Sequence, residues 1–210
     1  MANGGVYFYR IAALNAGGES PLSTETKVTL APDAPVIAPP VGGDKQVTLT
    51  WERVAGATAY NVYWNTSGAV ISKDQKIPAA TSPYVHQNLA NGLTYQYQIT
   101  AVNAGGETAA APVRVTLVPD APAAGSASAG DKQTTVQWSA VPGATGYTVY
   151  WNAGGKVTGR DAALDALKAP LPHTGLANGG SYYYRISARN EAGASPLSQE
   201  FSTTLAPDAP

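Results

Sequence analysis

The chain has 210 residues, of which only 13 % are charged, and its formal net charge is −1. That balance offers no basic field to gather phosphates, so nucleic acid is excluded as a partner, and no apolar run reaches the ~18 residues of a spanning helix, so no membrane insertion is expected. Cysteine is absent, so no disulfide staples the fold, as suits a cytosolic or a bacterial surface protein alike.

Hydrophobic residues reach 44 %, with 12 Tyr and 4 Trp. This argues against disorder and suits half-buried pleated surfaces. The opening text, MANGGVYFYRIAALNAGGESPLS, returns at 89 as LANGLTYQYQITAVNAGGE and at 176 as LANGGSYYYRISARNEAGASPLS. Met1 thus aligns with Leu89 and Leu176, and residues 1–31 supply only the end of a copy. Residues 1–20 lack the basic start and apolar core of a signal peptide, so a secreted form would be a piece of a longer precursor. PDAP recurs at 32–35, 119–122 and 207–210. Trp51 and Trp138 lie 87 residues apart, as do Trp64 and Trp151, Leu89 and Leu176, and Tyr95 and Tyr182. A period near 87 is too long for a solenoid unit and fits a small whole domain.

Within a copy, short alternating segments follow turn signals. QVTLTW at 46–51 follows Gly-Gly-Asp, AYNVYWN at 59–65 follows Gly56, TYQYQITAV at 94–102 follows Asn91-Gly92, and VRVTL at 113–117 follows Gly105-Gly106. The period of two predicts half-buried strands. Roughly seven strands in under ~100 residues, with no long helical pattern, predict an antiparallel sandwich. Tyr95, Tyr97, Ile99 and Ala101 should share a buried face, with Gln96, Gln98 and Thr100 on a wet one. In the next copy Tyr182, Tyr184, Ile186 and Ala188 should point inward, with Tyr183, Arg185 and Ser187 outward. In GRDAALDALKAP at 159–170, Ala162, Leu164, Ala166 and Leu167 predict a helical turn within a loop. Gly159-Arg160-Asp161 is not the Arg-Gly-Asp signal, since the order differs.

Pro35, Trp51, the Y-x-V-x-W of Tyr60, Val62 and Trp64, Leu89, the NGxTY ending at Tyr95, and Asn103 to Gly106 form an ordered set. Pro122, Trp138, Tyr147, Val149, Trp151, Leu176 and Tyr182 repeat it. These copies resemble fibronectin type III domains, especially the form common in bacterial extracellular proteins. The resemblance covers essentially the whole chain and implies an all-β fold of tandem β-sandwiches. Two would be complete, at 33–119 and 120–210, and residues 1–32 would be the F–G hairpin of a third. It implies a structural core of Trp51, Trp138, Trp64, Trp151, Tyr95, Tyr182, Leu89 and Leu176. It also places Tyr95 and Tyr182 at a tyrosine corner, where the hydroxyl bonds nearby backbone; the alternative is a plain core aromatic.

An isolated hairpin is marginal in water, and Tyr7, Tyr9, Ile11 and Ala13 would lose the sheet they should pack on. Sequence outside this chain, a homo-oligomer or filament formed through residues 1–31, or rearranged packing on the next domain would each supply cover. The linkers TLAPDAP and TLVPDAP are short and proline-stiffened, which predicts semi-rigid joints in an end-to-end rod.

No motif carries chemistry. One histidine per copy, His86 and His173, does not make a metal site, and neither has a Ser or Cys partner. A structural role is expected for both. Asp33, Asp120 and Asp208 stand in the PDAP linkers, where turn formation competes with calcium binding at the joints. No cofactor is expected. Outward aromatics are the ligand signal: Tyr150, Tyr183 and Arg185 in the last copy, with Tyr63 and Asn61 at the matching place before it. Such faces bind sugars, and cross-strand aromatic pairs also stabilise sheets without a ligand. The reading is a non-catalytic structural or adhesive segment of a bacterial extracellular or surface protein, partnered by neighbouring repeats. The alternative is a carbohydrate-binding or spacer module of a secreted polysaccharide-degrading enzyme.

Overall fold

The computed structural model describes residues 1–69 and 74–210, and every regular element among them is a β-strand. The chain divides into two compact units. One comprises Met1–Val41, Val47–Gln87 and Tyr95–Val115; the other comprises Gly42–Gln46, Asn88–Thr94 and Thr116–Pro210.

The first stretch is a hairpin. Strand β1 (Val6–Tyr9) pairs antiparallel with β4 (Thr26–Thr29), and β2 (Leu14–Asn15) pairs with β3 (Gly18–Glu19) at its tip. In the following repeat, β5 (Val41–Gly43), β6 (Gln46–Leu49) and β9 (Tyr84–Gln87) form one sheet in the order β5-β6-β9. The other sheet runs β11-β10-β7-β8, from β7 (Ala59–Asn65), β8 (Gln75–Ile77), β10 (Thr94–Asn103) and β11 (Gly106–Ala109); β12 (Val113–Thr116) also pairs with β10.

The last repeat copies this plan. One sheet is β13 (Ser126–Gly130), β14 (Gln133–Gln137) and β17 (Leu171–Thr174), with β14 central. The other runs β16-β15-β18-β19, from β15 (Gly146–Asn152), β16 (Ala162–Ala166), β18 (Ser181–Asn190) and β19 (Gly193–Ala194), with β20 (Phe201–Thr204) also on β18. The architecture is that of tandem β-sandwiches preceded by a hairpin.

Strand alternation explains why the sheets stack. In β18 the apolar set Tyr182, Tyr184, Ile186 and Ala188 is buried and joins Val136, Trp138, Tyr147, Val149, Leu176 and Leu205 in one core. In the preceding repeat Val47, Leu49, Trp51, Val62, Leu89, Tyr95, Tyr97, Ile99 and Ala101 are buried in the same pattern. Trp51, just past β6, and Trp138, just past β14, are each braced by a tyrosine. Trp138 lies 5.2 Å from the Tyr147 ring and Trp51 lies 5.6 Å from Tyr60. The two tyrosine hydroxyls accept from the amides of Val141 and Val54, at 2.8 and 2.6 Å. Trp64 and Trp151 are half-buried, lying at the edge of their cores. Their rings sit 6.0 and 6.1 Å from Tyr95 and Tyr182.

The tyrosine corner is present at Tyr182, whose hydroxyl accepts from the Ala177 amide at 2.8 Å and donates to the Ala177 carbonyl at 3.2 Å. Tyr7, the matching residue in the hairpin, bonds the backbone of Ala2 in the same way. Further along the hairpin face, among the described residues, Tyr9 is 42 % and Ile11 is 74 % exposed, whereas Tyr97, Ile99, Tyr184 and Ile186 are fully buried.

Two expectations are corrected. Residues 162–166 are not a helical turn but strand β16, added to the sheet edge with Leu164 opposite Val149. Their apolar residues also alternate with period two, and the open edge of β15 decides between the two readings. The outward face of β10 and β18 is not uniformly wet either. Thr100 and Ser187 are buried. Ser187 is roofed by the returning chain, its hydroxyl donating to the Ser195 carbonyl at 2.8 Å.

Candidate functional site

The four ligand candidates divide. Tyr63 is buried, only 6 % exposed, which corrects its expected outward exposure. The cause is a polar cluster around Glu107. One oxygen, Glu107 Oε1, accepts from Asn61 Nδ2 at 2.9 Å, from the Tyr63 hydroxyl at 3.1 Å and from the Thr100 hydroxyl. The Lys76 ammonium lies 5.3 Å from the Tyr63 ring centre. Burial works against the Glu107 charge, but the hydrogen bonds from Thr100, Asn61 and Tyr63 and the Lys76 charge outweigh it and hold its carboxyl below the usual range. Glu107→Ala should therefore destabilise by about 1–2 kcal/mol, because buried donors lose their acceptor. Glu107→Gln, which keeps one acceptor oxygen, should lose less. Equal losses in urea melts would show that Glu107 does not organise this face.

In the last repeat the position of Glu107 is occupied by Ala194, and the cluster is replaced. Tyr150 stands directly opposite Arg185, and Asn152 opposite Tyr183, so the three candidates share one sheet face. All three are half-buried. The loop after β15 leans on Tyr183, since a Cβ at Gly155 would sit 3.6 Å from its ring. Glu200 is engaged by the Val157 amide at 2.6 Å. The face therefore brings two phenols and a guanidinium together, partly under a loop.

Both histidines are core-edge groups. His173 Nδ1 is 3.0 Å from the Tyr184 hydroxyl, and its ring packs 4.3 Å from Trp151. His86 repeats this with Tyr97 at 3.0 Å and Trp64 at 4.6 Å. Burial pushes both imidazoles below their ordinary value. Among the described residues, no group of three or more His, Cys, Asp or Glu side chains is placed to hold a metal ion.

The linker aspartates have partners that the sequence reading did not assign. Asn91 Nδ2 donates to Asp44 at 2.7 Å and to Asp120 at 2.8 Å, while its Oδ1 accepts from the Lys45 amide at 2.9 Å. Asn178 does the same with Asp131 at 2.8 Å, Asp208 at 2.7 Å and the Lys132 amide at 2.9 Å. Asn3 donates to Asp33 at 2.5 Å. An amide thus sits where the calcium reading would place a cation, so these carboxylates are already bridged by N–H donors. The readable signal is an asparagine and a PDAP aspartate that recur together in every copy.

A second asparagine works from the turn after β10 or β18. Asn103 Nδ2 donates to the Leu30 carbonyl at 2.9 Å and to the Gly56 carbonyl at 3.1 Å, all within the first compact unit. Asn190 Nδ2 donates to the Leu117 carbonyl at 2.9 Å, within the second. The contacts with Leu30 and with Leu117 each span 73 residues. Glycines allow the backbones to meet beside them. A Cβ at Gly143, which has φ +72, would lie 2.0 Å from the Gly92 carbonyl oxygen. One at Gly56, also at φ +72, would lie 2.3 Å from that of Gly4. No side chain fits there. Each joint is therefore an asparagine on a linker carbonyl beside a glycine pair.

The fold and the joints define a class of protein: a tandem array of small β-sandwiches. The fibronectin type III domain model matches residues 31–116. Residues 31–116 thus form a domain of this family, and the fold of the chain, tandem β-sandwiches, is the one that tandem fibronectin type III domains adopt. It is similar to human neogenin, 25 % identical over 220 residues, which covers 94 % of this chain and 15 % of neogenin. It is also similar to the amylopullulanase of Thermoanaerobacterium saccharolyticum, 31 % identical over 102 residues, covering 48 % of this chain and 8 % of that enzyme. A solved segment of two fibronectin type III domains from chicken tenascin shares the fold at a TM-score of 0.52 and 19 % identity, covering 82 % of this chain and 98 % of the segment. The chain thus spans a small fraction of the length of both curated relatives.

Proposed function

We propose that this chain is a non-catalytic structural segment, a semi-rigid spacer within an extracellular or bacterial surface protein. The joint carries this reading. The same asparagine-to-carbonyl bond and glycine pair occur at two places in the chain. A linker kept only for reach needs neither. Neighbouring repeats are the partners, and adhesion is served by reach rather than by a reaction centre. The domain limits that fit this use are 1–32, 33–119 and 120–210.

Rotational diffusion measured by NMR tests it. Amides of residues 33–119 and 120–206 should report common tumbling in the native chain. Asn190→Ala combined with Gly143→Val should decouple them while each sandwich keeps its own spectrum. Independent tumbling of the native chain would overturn the spacer reading, as would turnover of a substrate by the purified chain.

The similarity to an amylopullulanase favours a second setting, in which the segment accompanies a polysaccharide-degrading enzyme and contacts glycan through Tyr150, Tyr183 and Arg185. A glycan array should then show binding that Tyr150→Ala with Tyr183→Ala removes. A blank array leaves the spacer alone.

A further inference from the structure

Asparagine followed by glycine is prone to lose its side-chain amide, because no Cβ hinders attack by the next backbone nitrogen. The chain has three such pairs, Asn3-Gly4, Asn91-Gly92 and Asn178-Gly179. Asn91-Gly92 lies in the turn before β10, and the contacts that hold it fall within the second compact unit.

The fold blocks each step of that reaction at Asn91. The attacking atom is tied up: the Gly92 amide donates to the Val118 carbonyl at 3.2 Å. Gly92, at φ +80, is also wedged against the neighbouring turn, where a Cβ would lie 2.3 Å from the Pro142 carbonyl oxygen. The group under attack is held as well. Asn91 Nδ2 donates to Asp44 at 2.7 Å and to Asp120 at 2.8 Å, and its Oδ1 accepts from the Lys45 amide at 2.9 Å. Water is kept off, since Asn91 is only 9 % exposed.

We propose that Asn91-Gly92 is a deamidation site that the native fold keeps shut, and that conversion there is a one-way step. In an opened chain the Gly92 nitrogen gives up its proton to solvent and attacks Asn91 Cγ. The Cγ–Nδ2 bond breaks, and that nitrogen leaves as ammonia. Water then opens the resulting cyclic imide at either carbonyl, giving aspartate or isoaspartate. Neither product fits back. A carboxylate oxygen replaces the N–H donor that bridges Asp44 and Asp120, so three carboxylates meet at a distance where like charges repel strongly. Isoaspartate also lengthens the main chain by a methylene, which the close-packed Gly92 turn cannot absorb. The turn therefore records prolonged opening: once converted, it does not close again as before.

Peptide mapping by mass spectrometry tests this on the full chain, incubated at mildly alkaline pH natively and in urea. In urea the three Asn-Gly pairs should convert together. Natively, Asn91 should convert at least about 100-fold more slowly than in urea, the population ratio set by a mid-range cost of local opening. Asn91→Asp, made directly, isolates the product. Its urea midpoint should fall below that of the native chain, and Asp44→Asn in the same chain should recover part of the fall by returning an amide to the cluster. Equal rates for Asn91 in the two conditions would overturn the proposal, because the fold would then shut nothing. So would an Asn91→Asp chain that melts with the native one, or a fall that Asp44→Asn leaves unchanged, since carboxylate crowding would not be its cause. The tumbling of the native chain, which tests the spacer reading, is the same under any of these outcomes.

Discussion

Trp138→Ala is expected to destabilise the last sandwich by about 3–5 kcal/mol, the range for deleting a buried large aromatic. Trp138 is 6 % exposed and packs with Tyr147, Val149, Leu176 and Ile186 in one core. Its removal leaves a cavity that the two sheets cannot close without moving against each other. The Tyr147 ring loses its aromatic neighbour, and with it the brace on the turn at Val141. Trp138→Phe separates packing from hydrogen bonding. The indole Nε1 of Trp138 is buried without a protein partner, so phenylalanine forfeits volume and no hydrogen bond. Its loss should be well under half that of alanine. A urea melt of the full chain, followed by Tyr147 and Tyr182 signals, reads both. Near-equal losses in the two variants would mean that the indole nitrogen matters more than the ring.

The contrast between Trp138 and Asn190 shows what the sequence made legible. Large apolar residues spaced by two advertise a buried face, and a period of 87 multiplies that signal. Tyr95 and Tyr182 were placed in the core on this ground, Trp51 and Trp138 by the family resemblance, and each is buried. Tyr63 shows where alternation stops informing. Its parity put it on the outer face correctly, but parity does not report what lies above that face. Glu107, 44 residues away, closes it over. Residues 162–166 fail for a related reason, since a short apolar run satisfies both helical and strand periods until a sheet edge is present.

The joint residues were visible as letters but not as contacts. Asn103 entered the reading as part of a repeated turn, and its side chain does form that turn through the Gly105 amide. Its amide nitrogen reaches a carbonyl 73 residues away. No local rule predicts this, because a turn asparagine is fully explained by the turn. The repetition of an Asn and an Asp in step was the available clue. The third copy, with Asn3 and Asp33 in the hairpin, makes it a pattern.

Tyr184→Phe is the second large expected effect, about 2–3 kcal/mol, since a buried hydroxyl bridges two buried groups. Tyr184 Oη lies 2.7 Å from the Thr134 hydroxyl and 3.0 Å from His173 Nδ1. Phenylalanine leaves both without this partner, and Thr134 is fully buried. The preceding repeat supplies a natural control. There Val47 stands where Thr134 stands, and among the described residues Tyr97 keeps the histidine, His86. Thr134→Val should therefore be nearly neutral, since it removes a polar group and its need together. Burial also raises the Tyr184 hydroxyl above its ordinary value, with the Thr134 hydrogen bond working partly against it. The phenol stays neutral throughout the working range. The pH dependence comes instead from the histidines. Burial holds His173 and His86 below their ordinary value of 6.5, so the unfolded chain takes up protons first as pH falls. Stability from this source is complete above 6.5 and declines as pH drops through the lower folded-state value. Denaturant melts at about pH 8 and about pH 5 should show the decline, and His173→Gln should flatten part of it. Stability that rises on acidification over that interval would mean the imidazoles are charged in the native fold, with Tyr184 and Tyr97 acting only as acceptors.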